Sequence, residues 1–405
     1  MAPAAGTSTE KVTLTPFLPP SIVSTDALGN PIANYAYTTD AAGDLTSQTE
    51  NGVTSDFSYD AQGELIGDTI GESTTGSTGD SSGEGTGTGA STSTTAYSYD
   101  ANGNRTNPGY VTGPDNELLS DGTWNYSYDA DGNEIEKVNI ATGVTWTYAY
   151  DDRNEMTEAK EWSENPSTYG TAYVEVQEDF KYDVYGNRVE QDLWSSGPAT
   201  SSEVVTKFAV DGWNPAKGTP VGNENFDVWA DLTGTGALQT RYLNGDAVDQ
   251  ILARIDNSGS SLSPYWELTD RLGSVRDVID NNTGAVQDAI TYDSYGNITS
   301  QTNPACLGRY AWTGREFDVE TDLQYNRARY YDPSTGRWMS QDPLGFDAGD
   351  SNLYRYCQNS PTKYTDPSGE VLRVGGTNDA ALKNEFLGCS KKWFRTAISN
   401  LGKMG

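Results

Sequence analysis

The feature of this sequence that most constrains its fold is a short phrase that recurs along the chain. The phrase consists of an aromatic or apolar residue, one further residue, Tyr-Asp, two variable residues and then Gly-Asn or a near relative. Its copies are FSYDAQGE from Phe57, YSYDANGN from Tyr97, YSYDADGN from Tyr126, YAYDDRNE from Tyr148, FKYDVYGN from Phe180 and ITYDSYGN from Ile290, with a looser copy, YAYTTDAAGD, from Tyr35. A phrase repeated at intervals of about 20 residues is typical of arrays built from one supersecondary unit.

Each copy has the properties of a β-hairpin. Aromatic residues in alternate positions fall on one face of a strand. The Asp and the Gly-Asn pair that follow predict a tight turn with positive φ, and a run such as NRVEQDLW then returns as a second strand. An isolated hairpin is only marginally stable in water, so we expect successive copies to pair edge to edge into a long sheet whose aromatic face is covered. The sequence therefore predicts an all-β chain of repeated hairpins.

One of these turns also resembles a calcium loop. The segment DADGNE from Asp129 places oxygen-bearing side chains at its first, third and fifth positions. Its Gly comes too early, however, and no acidic residue closes the loop at the twelfth position, as an EF-hand requires. A turn explains every copy of the phrase and a calcium ion explains only one. We therefore expect no metal and no other cofactor.

The composition excludes several classes of function. The chain of 405 residues has no histidine, which excludes Ser-His-Asp and Cys-His catalysis and His-bound metals. Its 58 acidic and 26 basic residues give a net charge of −32, which opposes binding to nucleic acids and anionic lipids. No apolar run is long enough to insert into a membrane, and no signal peptide is recognisable at the start. The three cysteines, which form no Cys-x-x-Cys motif and are expected to be free thiols, are Cys306, Cys357 and Cys389.

Changes in composition divide the chain into four predicted parts. Residues 1–34 are interpreted as an irregular N-terminal segment, 35–309 as the hairpin array, 310–369 as a denser block and 370–405 as a variable tail. Within the array, residues 71–95 are nearly all Gly, Ser or Thr, a composition that cannot bury enough apolar surface to offset its ordering entropy. We therefore expect a disordered and dispensable loop there.

The tail differs from the rest of the chain because it has more basic than acidic residues. Apolar residues at helical spacing predict a short amphipathic α-helix in it. A segment of this length is too short to form a stable core, so we do not expect an independent toxin domain. The apolar residues that would lie near one face of this helix are Leu382, Phe386, Trp393, Ala397 and Leu401.

The block from about Tyr310 to Gly369 carries a series of motifs in a fixed order. They are YxxTGREFD, LQYNRARYYDP, GRWMSQDPLGF, NLYRYCQNSP and YTDPSG. Together with the hairpin phrase, these motifs resemble the Rhs/YD-repeat family, and the block itself is similar to the repeat-associated core segment that closes such arrays. The resemblance covers roughly residues 35 to 369.

The resemblance implies a spiralling shell, or partial cocoon, of β-hairpins, with the core segment turned inward as a plug. Bacterial members of the family often carry a variable effector, frequently a toxin, directly after the core and hold it inside the shell, and related shells on animal cell surfaces act in adhesion. A secreted or cell-surface location is therefore expected. Because about seven copies make a short array, we also expect a fragment or a reduced relative.

Two aspartates of the core segment form a candidate catalytic pair. Asp342 begins DPLG and Asp366 begins DPSG. The resemblance implies that such a pair acts like an aspartic protease and cuts just after the second motif, with one carboxyl protonated and the other activating water. Arg337, in GRW, is the candidate cation beside the pair. The alternative is a turn alone, because Asp-Pro-x-Gly is a good β-turn sequence and DPSTG from Asp332 has no proposed catalytic role.

The residue after the second motif argues against cutting. The family's usual Leu is replaced here by Glu370, a third acid beside the pair that would be costly to bury. We therefore expect the chain to stay uncleaved near neutral pH. Asp366→Asn should then leave its mass unchanged, and Glu370→Leu should restore cutting.

Three functions are open at this point. The leading hypothesis is a non-enzymatic shell or display scaffold whose partner is its own C-terminal segment or an effector. The second is an autoproteolytic toxin-delivery shell that uses Asp342 and Asp366. The third is an adhesion module that binds surface glycans, because exposed Tyr and Trp rings can stack on sugars.

Overall fold

The structure is a computed structural model that describes residues 21–25, 29–71, 92–212 and 222–375. In these ranges the chain forms β-strands and short 3₁₀ helices, without an α-helix, which confirms the all-β prediction. The described residues fall into two compact units, one that ends at Tyr97 and one that starts at Ser98. The predicted tail helix, Cys389 and loop residues 72–91 lie outside the described residues.

The first unit contains a six-stranded antiparallel sheet in which the strands follow chain order. These strands are β1 Ser21–Thr25, β2 Pro31–Thr39, β3 Leu45–Glu50, β4 Val53–Tyr59, β5 Leu65–Gly71 and β6 Thr92–Ala96. The prediction of an irregular segment over residues 1–34 is wrong for β1 and the start of β2, because both strands pair with a neighbour. Likewise, β5 and β6 extend into the two ends of the predicted loop at 71–95 and pair with each other there.

The second unit contains a sixteen-stranded antiparallel sheet, again in chain order within the described residues. Its strands are β7 Tyr110–Thr112, β8 Leu118–Asp121, β9 Trp124–Tyr128, β10 Glu134–Asn139, β11 Thr145–Tyr150, β12 Met156–Trp162, β13 Val174–Tyr182, β14 Arg188–Trp194, β15 Val204–Val210, β16 Val228–Thr233, β17 Leu238–Asn244, β18 Ile251–Asn257, β19 Leu262–Thr269, β20 Val275–Asp280, β21 Val286–Tyr292 and β22 Ile298–Gln301. This arrangement confirms the predicted edge-to-edge pairing of successive hairpins.

The core segment adds short strands and 3₁₀ turns after this sheet. Its strands are β23 Glu316–Asp318, β24 Leu323–Asn326, β25 Arg329–Asp332, β26 Arg337–Trp338, β27 Tyr364–Thr365 and β28 Arg373–Val374. The 3₁₀ helices of the described chain are Pro114–Asn116, Gly222–Asn225, Pro304–Cys306, Trp312–Gly314, Gly345–Ala348 and Tyr356–Asn359. Because β28 pairs with β27, the ordered fold continues past Gly369, where the core was predicted to end.

The recurring Asp builds the turn of each hairpin. Asp129 Oδ1 accepts hydrogen bonds from the backbone N–H groups of Asp131 and Asn133, both at 2.9 Å. Gly132 then adopts a φ of 80°, which a residue with a side chain rarely adopts. The Asp129 carboxylate is thus used by its own turn, as the turn interpretation predicted.

The core segment covers the aromatic face of the sixteen-stranded sheet. In this sheet the alternate residues of the phrase point to this side, as Tyr126 and Tyr128 do on either side of the exposed Ser127. Burial of many large rings is the main favourable contribution of such a core. The buried residues that the sheet and the core segment contribute to one cluster are Phe208, Val228, Tyr242, Ile251, Val275, Val278, Ile290 and Tyr292 from the sheet and Tyr310, Ala311, Trp312, Tyr331, Trp338, Tyr356 and Cys357 from the core segment.

Core-segment side chains also bind the backbone of the hairpin turns. Four turns each present a carbonyl oxygen, at or just before the turn glycine, to one such side chain. The bonds join Asn359 Nδ2 to Gly103 O at 2.8 Å, Tyr354 Oη to Gly132 O at 2.8 Å, Tyr325 Oη to Gly186 O at 2.9 Å and Tyr331 Oη to Tyr295 O at 2.8 Å. The core segment is therefore fixed to hairpins that are far away in the sequence.

Candidate functional site

The second Asp-Pro motif is held residue by residue by a hairpin of the core segment. The residues Asn326 to Arg329 form the tight turn between β24 and β25. Each of these four residues donates a hydrogen bond to one of four successive carbonyl oxygens. The bonds join Asn326 Nδ2 to Asp366 O at 2.7 Å, Arg327 Nη1 to Pro367 O at 2.6 Å, Ala328 N to Ser368 O at 3.0 Å and Arg329 Nε to Gly369 O. We call this arrangement, residues 326–329 with residues 366–369, the clamp.

The clamp requires glycine at the end of the motif. Gly369 has a φ of +73°, and a Cβ atom built there would lie 2.7 Å from Asn326 O and 3.0 Å from Arg329 N. Both neighbours are backbone atoms, which cannot move away as a flexible side chain could. The last position of DPSG is therefore set by the close approach of the hairpin as well as by its turn.

The two predicted aspartates meet at one arginine. Arg329 Nη2 lies 2.7 Å from Asp342 Oδ2 and 3.6 Å from Asp366 Oδ2. The other oxygen of each carboxylate serves its own turn: Asp342 Oδ1 accepts from Leu344 N at 2.9 Å, and Asp366 Oδ1 accepts from Gly369 N at 2.9 Å. Each carboxylate therefore uses one oxygen to cap its own turn and the other to contact Arg329.

Burial and mutual repulsion set the electrostatics of this site. Burial, with a contribution from Asp366, raises the pKa of Asp342, although the Arg329 guanidinium opposes the shift. The pKa of Glu370 is also raised, first by burial and then by Asp342 and Asp366. Three carboxylates thus surround one guanidinium. The third acid that the sequence predicted beside the pair is present.

The cation at the pair is Arg329 rather than the predicted Arg337. Arg337 is buried elsewhere, where Nη1 donates to Asn104 Oδ1 at 3.2 Å and Nη2 donates to the carbonyl of Asn116. Its guanidinium also lies over the ring of Tyr354. It therefore joins the core segment to an early hairpin of the second unit. No local pattern marks Arg329, because its approach to Asp366 depends on contact between two distant parts of the chain.

The peptide bond between Gly369 and Glu370 lies within this group of charges. The Gly369 carbonyl accepts from Arg329, whose Nη2 holds Asp342, and Glu370 N donates to Asp366 Oδ1 at 3.2 Å. A cation at the carbonyl oxygen and carboxyls on both sides are what hydrolysis of this bond would need. The catalytic roles of the pair remain a prediction.

Other site types have little support among the described residues. In the part of the chain that the structure describes, no group of three or more acidic or cysteine side chains is arranged to hold a metal ion, and no helix is long and apolar enough to cross a membrane. Three tyrosines are at least half exposed, Tyr169, Tyr173 and Tyr185. The glycan hypothesis stays a prediction.

Comparison with known proteins finds one family model and several relatives that match parts of this chain. A family model described as the Teneurin YD-shell matches residues 243–362. The tRNA3(Ser)-specific nuclease WapA of Bacillus spizizenii is 27% identical over 284 residues, which is 67% of this chain and 11% of the nuclease. The double-stranded DNA deaminase toxin A of Burkholderia cenocepacia is 32% identical over 119 residues, 28% of this chain and 8% of that protein. The chain thus spans about a tenth of the length of each relative.

A solved structure shares the fold. The Tc holotoxin pore of Photorhabdus luminescens superposes with a TM-score of 0.65 and covers 91% of this chain, at 16% sequence identity and 18% of the length of the toxin chain. An identity this low supports a common fold and no more. The recurring hairpins, the core-segment motifs, the family model matched over residues 243–362 and this shared fold together support a YD-repeat shell fold of the Rhs type for the chain.

Proposed function

We propose that this chain is a non-enzymatic scaffold of the toxin-delivery type, whose core segment fixes the point at which a C-terminal segment or effector begins. Relatives that are named as a nuclease and as a deaminase toxin are consistent with this role. The same role implies a secreted or cell-surface location. The proposal does not require residues 370–405 to be a toxin domain themselves.

The observation that carries this proposal is the clamp. Four consecutive residues bind four consecutive carbonyl oxygens, and such pairing fixes register as well as position. Arg327 also binds Asp249 Oδ1 at 2.7 Å, so the hairpin is tied to the loop before β18. A scaffold that must hold one point of its chain firmly needs anchoring of this kind.

The clamp can be tested by two matched glycine substitutions. Gly369 and Gly345 both occupy the last position of an Asp-Pro-x-Gly motif with positive φ, but a Cβ atom at Gly345 would meet nothing within 4 Å. Gly369→Ala should therefore open the clamp, whereas Gly345→Ala should add only backbone strain. We expect hydrogen exchange across residues 366–375 to accelerate at least tenfold in Gly369→Ala and to change little in Gly345→Ala. Equal behaviour of the two variants would contradict the anchoring role.

A single self-cleavage event is the second candidate function. It is supported by one observation, the convergence of Asp342, Asp366 and the Gly369 carbonyl on Arg329. Arg329 would stabilise negative charge on the carbonyl oxygen while one carboxyl activates water and the other supplies a proton to the departing nitrogen. Glu370 opposes this chemistry because it adds a third acid to the same space. For this reason the scaffold function stands first.

A further inference from the structure

The residues that follow the clamp are themselves bound as a strand. In the pairing of β27 with β28, Tyr364 is opposite Val374 and Thr365 is opposite Arg373. Gly375 N extends this ladder by donating to Lys363 O at 2.9 Å. The segment therefore does not leave the fold at Glu370, where the candidate bond lies.

The arginine of this strand forms an ion pair with a buried glutamate. Arg373 Nε donates to Glu224 Oε1 at 2.9 Å, and Arg373 Nη2 pairs with Glu224 Oε2. The Glu224 side chain is fully buried, whereas that of Arg373 is about one-third exposed. Such two-pronged contact between guanidinium and carboxylate is among the strongest and most directional in proteins. Removing Arg373 would leave a buried carboxylate without this partner, which is costly.

Leu372 and Gly375 also pack closely against the second unit. Leu372 packs against the buried cluster of the second unit. A Cβ atom at Gly375 would lie 2.3 Å from a methyl carbon of Leu272 and 3.2 Å from Lys363 O, so the backbone lies directly against both neighbours. Residues 371–375 are thus recognised through backbone pairing, one apolar side chain and one arginine.

We propose that β27 and Glu224 form a binding site for an extended peptide in which an apolar residue is followed by Arg, and that residues 371–375 of the same chain occupy this site. The segment after the candidate bond would then stay bound to the scaffold even if the Gly369–Glu370 bond were cut. This consequence rests on the proposed function, which places the start of the C-terminal segment here. The binding site itself does not depend on cutting.

The first test measures hydrogen exchange in the full chain. Arg373→Ala should accelerate exchange of residues 371–375 at least tenfold, because the strand loses its ion pair with the buried Glu224. Arg153→Ala, which removes an exposed surface arginine, should leave this segment unchanged. Exchange that is equally slow in Arg373→Ala and the unmodified chain would overturn the proposal.

The second test asks whether the vacated site binds a peptide in trans. A fluorescent peptide of sequence VLRVGG, which copies residues 371–376, should bind to the Arg373→Ala chain at least tenfold more tightly than the control peptide VLAVGG. Adding Glu224→Gln should abolish this preference. Accelerated exchange without peptide binding would also overturn the proposal. Both readouts are independent of the Gly369→Ala comparison, so failure of this inference can be distinguished from failure of the scaffold function.

Discussion

Replacing Glu134 with Gln is expected to raise the free energy of unfolding by about 3 kcal/mol at pH 7. Glu134 lies in β10 with a buried side chain, and its Oε1 has no hydrogen-bond partner. Burial raises its pKa to about 8; Lys137 opposes the shift and Asp332 adds to it. A buried acid with this pKa is neutral in the folded protein at pH 7, whereas the same side chain is ionised in the unfolded chain.

The difference in proton binding between the folded and unfolded states determines how stability changes with pH. Between the unfolded pKa near 4.5 and the folded value near 8, the folded protein binds more protons than the unfolded chain, so its stability falls as pH rises through this window. Gln carries no charge at any pH and avoids this loss. Urea unfolding at pH 7 and at pH 4.5 should therefore show a gain that nearly disappears at the lower pH. Glu136→Gln, at a half-buried glutamate of the same strand, supplies the control for the substitution itself. An equal gain at both pH values would mean that packing, not ionisation, is responsible.

The second large effect is expected for Glu370→Leu, which should allow self-cleavage of the peptide bond that follows Gly369. The change removes the carboxylate that shares the site with Asp342 and Asp366 and whose pKa is raised first by burial and then by these two acids. It leaves in place the contact between Arg329 and the Gly369 carbonyl. Intact-mass spectrometry near neutral pH should then detect a fragment that ends at Gly369, in an amount that grows with time.

Two further variants distinguish the effect of the Glu370 charge from the role of Asp342 in the cut. Glu370→Gln removes the charge but keeps the size and polarity of the side chain, so cutting in this variant would identify repulsion as the obstacle. Adding Asp342→Asn to Glu370→Leu should abolish the fragment, because the pair would lose one of its two carboxyls. A fragment that persists in the double variant would show that Asp342 has no part in the cut.

The hairpins could be predicted because their determinants are local. Alternating aromatics, an Asp that caps its own turn and a glycine with positive φ all lie within a single phrase, as Tyr126 to Gly132 illustrate. The same holds for the two Asp-Pro turns, where Asp342 and Asp366 cap the backbone that follows them. Short-range patterns of this kind fix both the strand face and the turn.

The clamp could not be predicted in the same way. Each of its four bonds joins residues that are 40 positions apart, and neither side has a spacing that indicates the other. Arg337 was the reasonable candidate because it lies close to Asp342 in the sequence, yet the fold directs it to Asn104 and brings Arg329 to the pair. The strand β28 was missed for a similar reason, since its partner β27 and Glu224 come from separate parts of the chain.

The intact mass of the unmodified chain, followed near neutral pH, tests the central claim most directly. If the chain is a scaffold in which Glu370 keeps the carboxylate pair inactive, a single full-length mass will persist, and Asp366→Asn will give the same result apart from the substitution itself. A stable fragment that starts at Glu370 in the unmodified protein, and that is absent from Asp342→Asn, would contradict the claim and make self-cleavage the primary function.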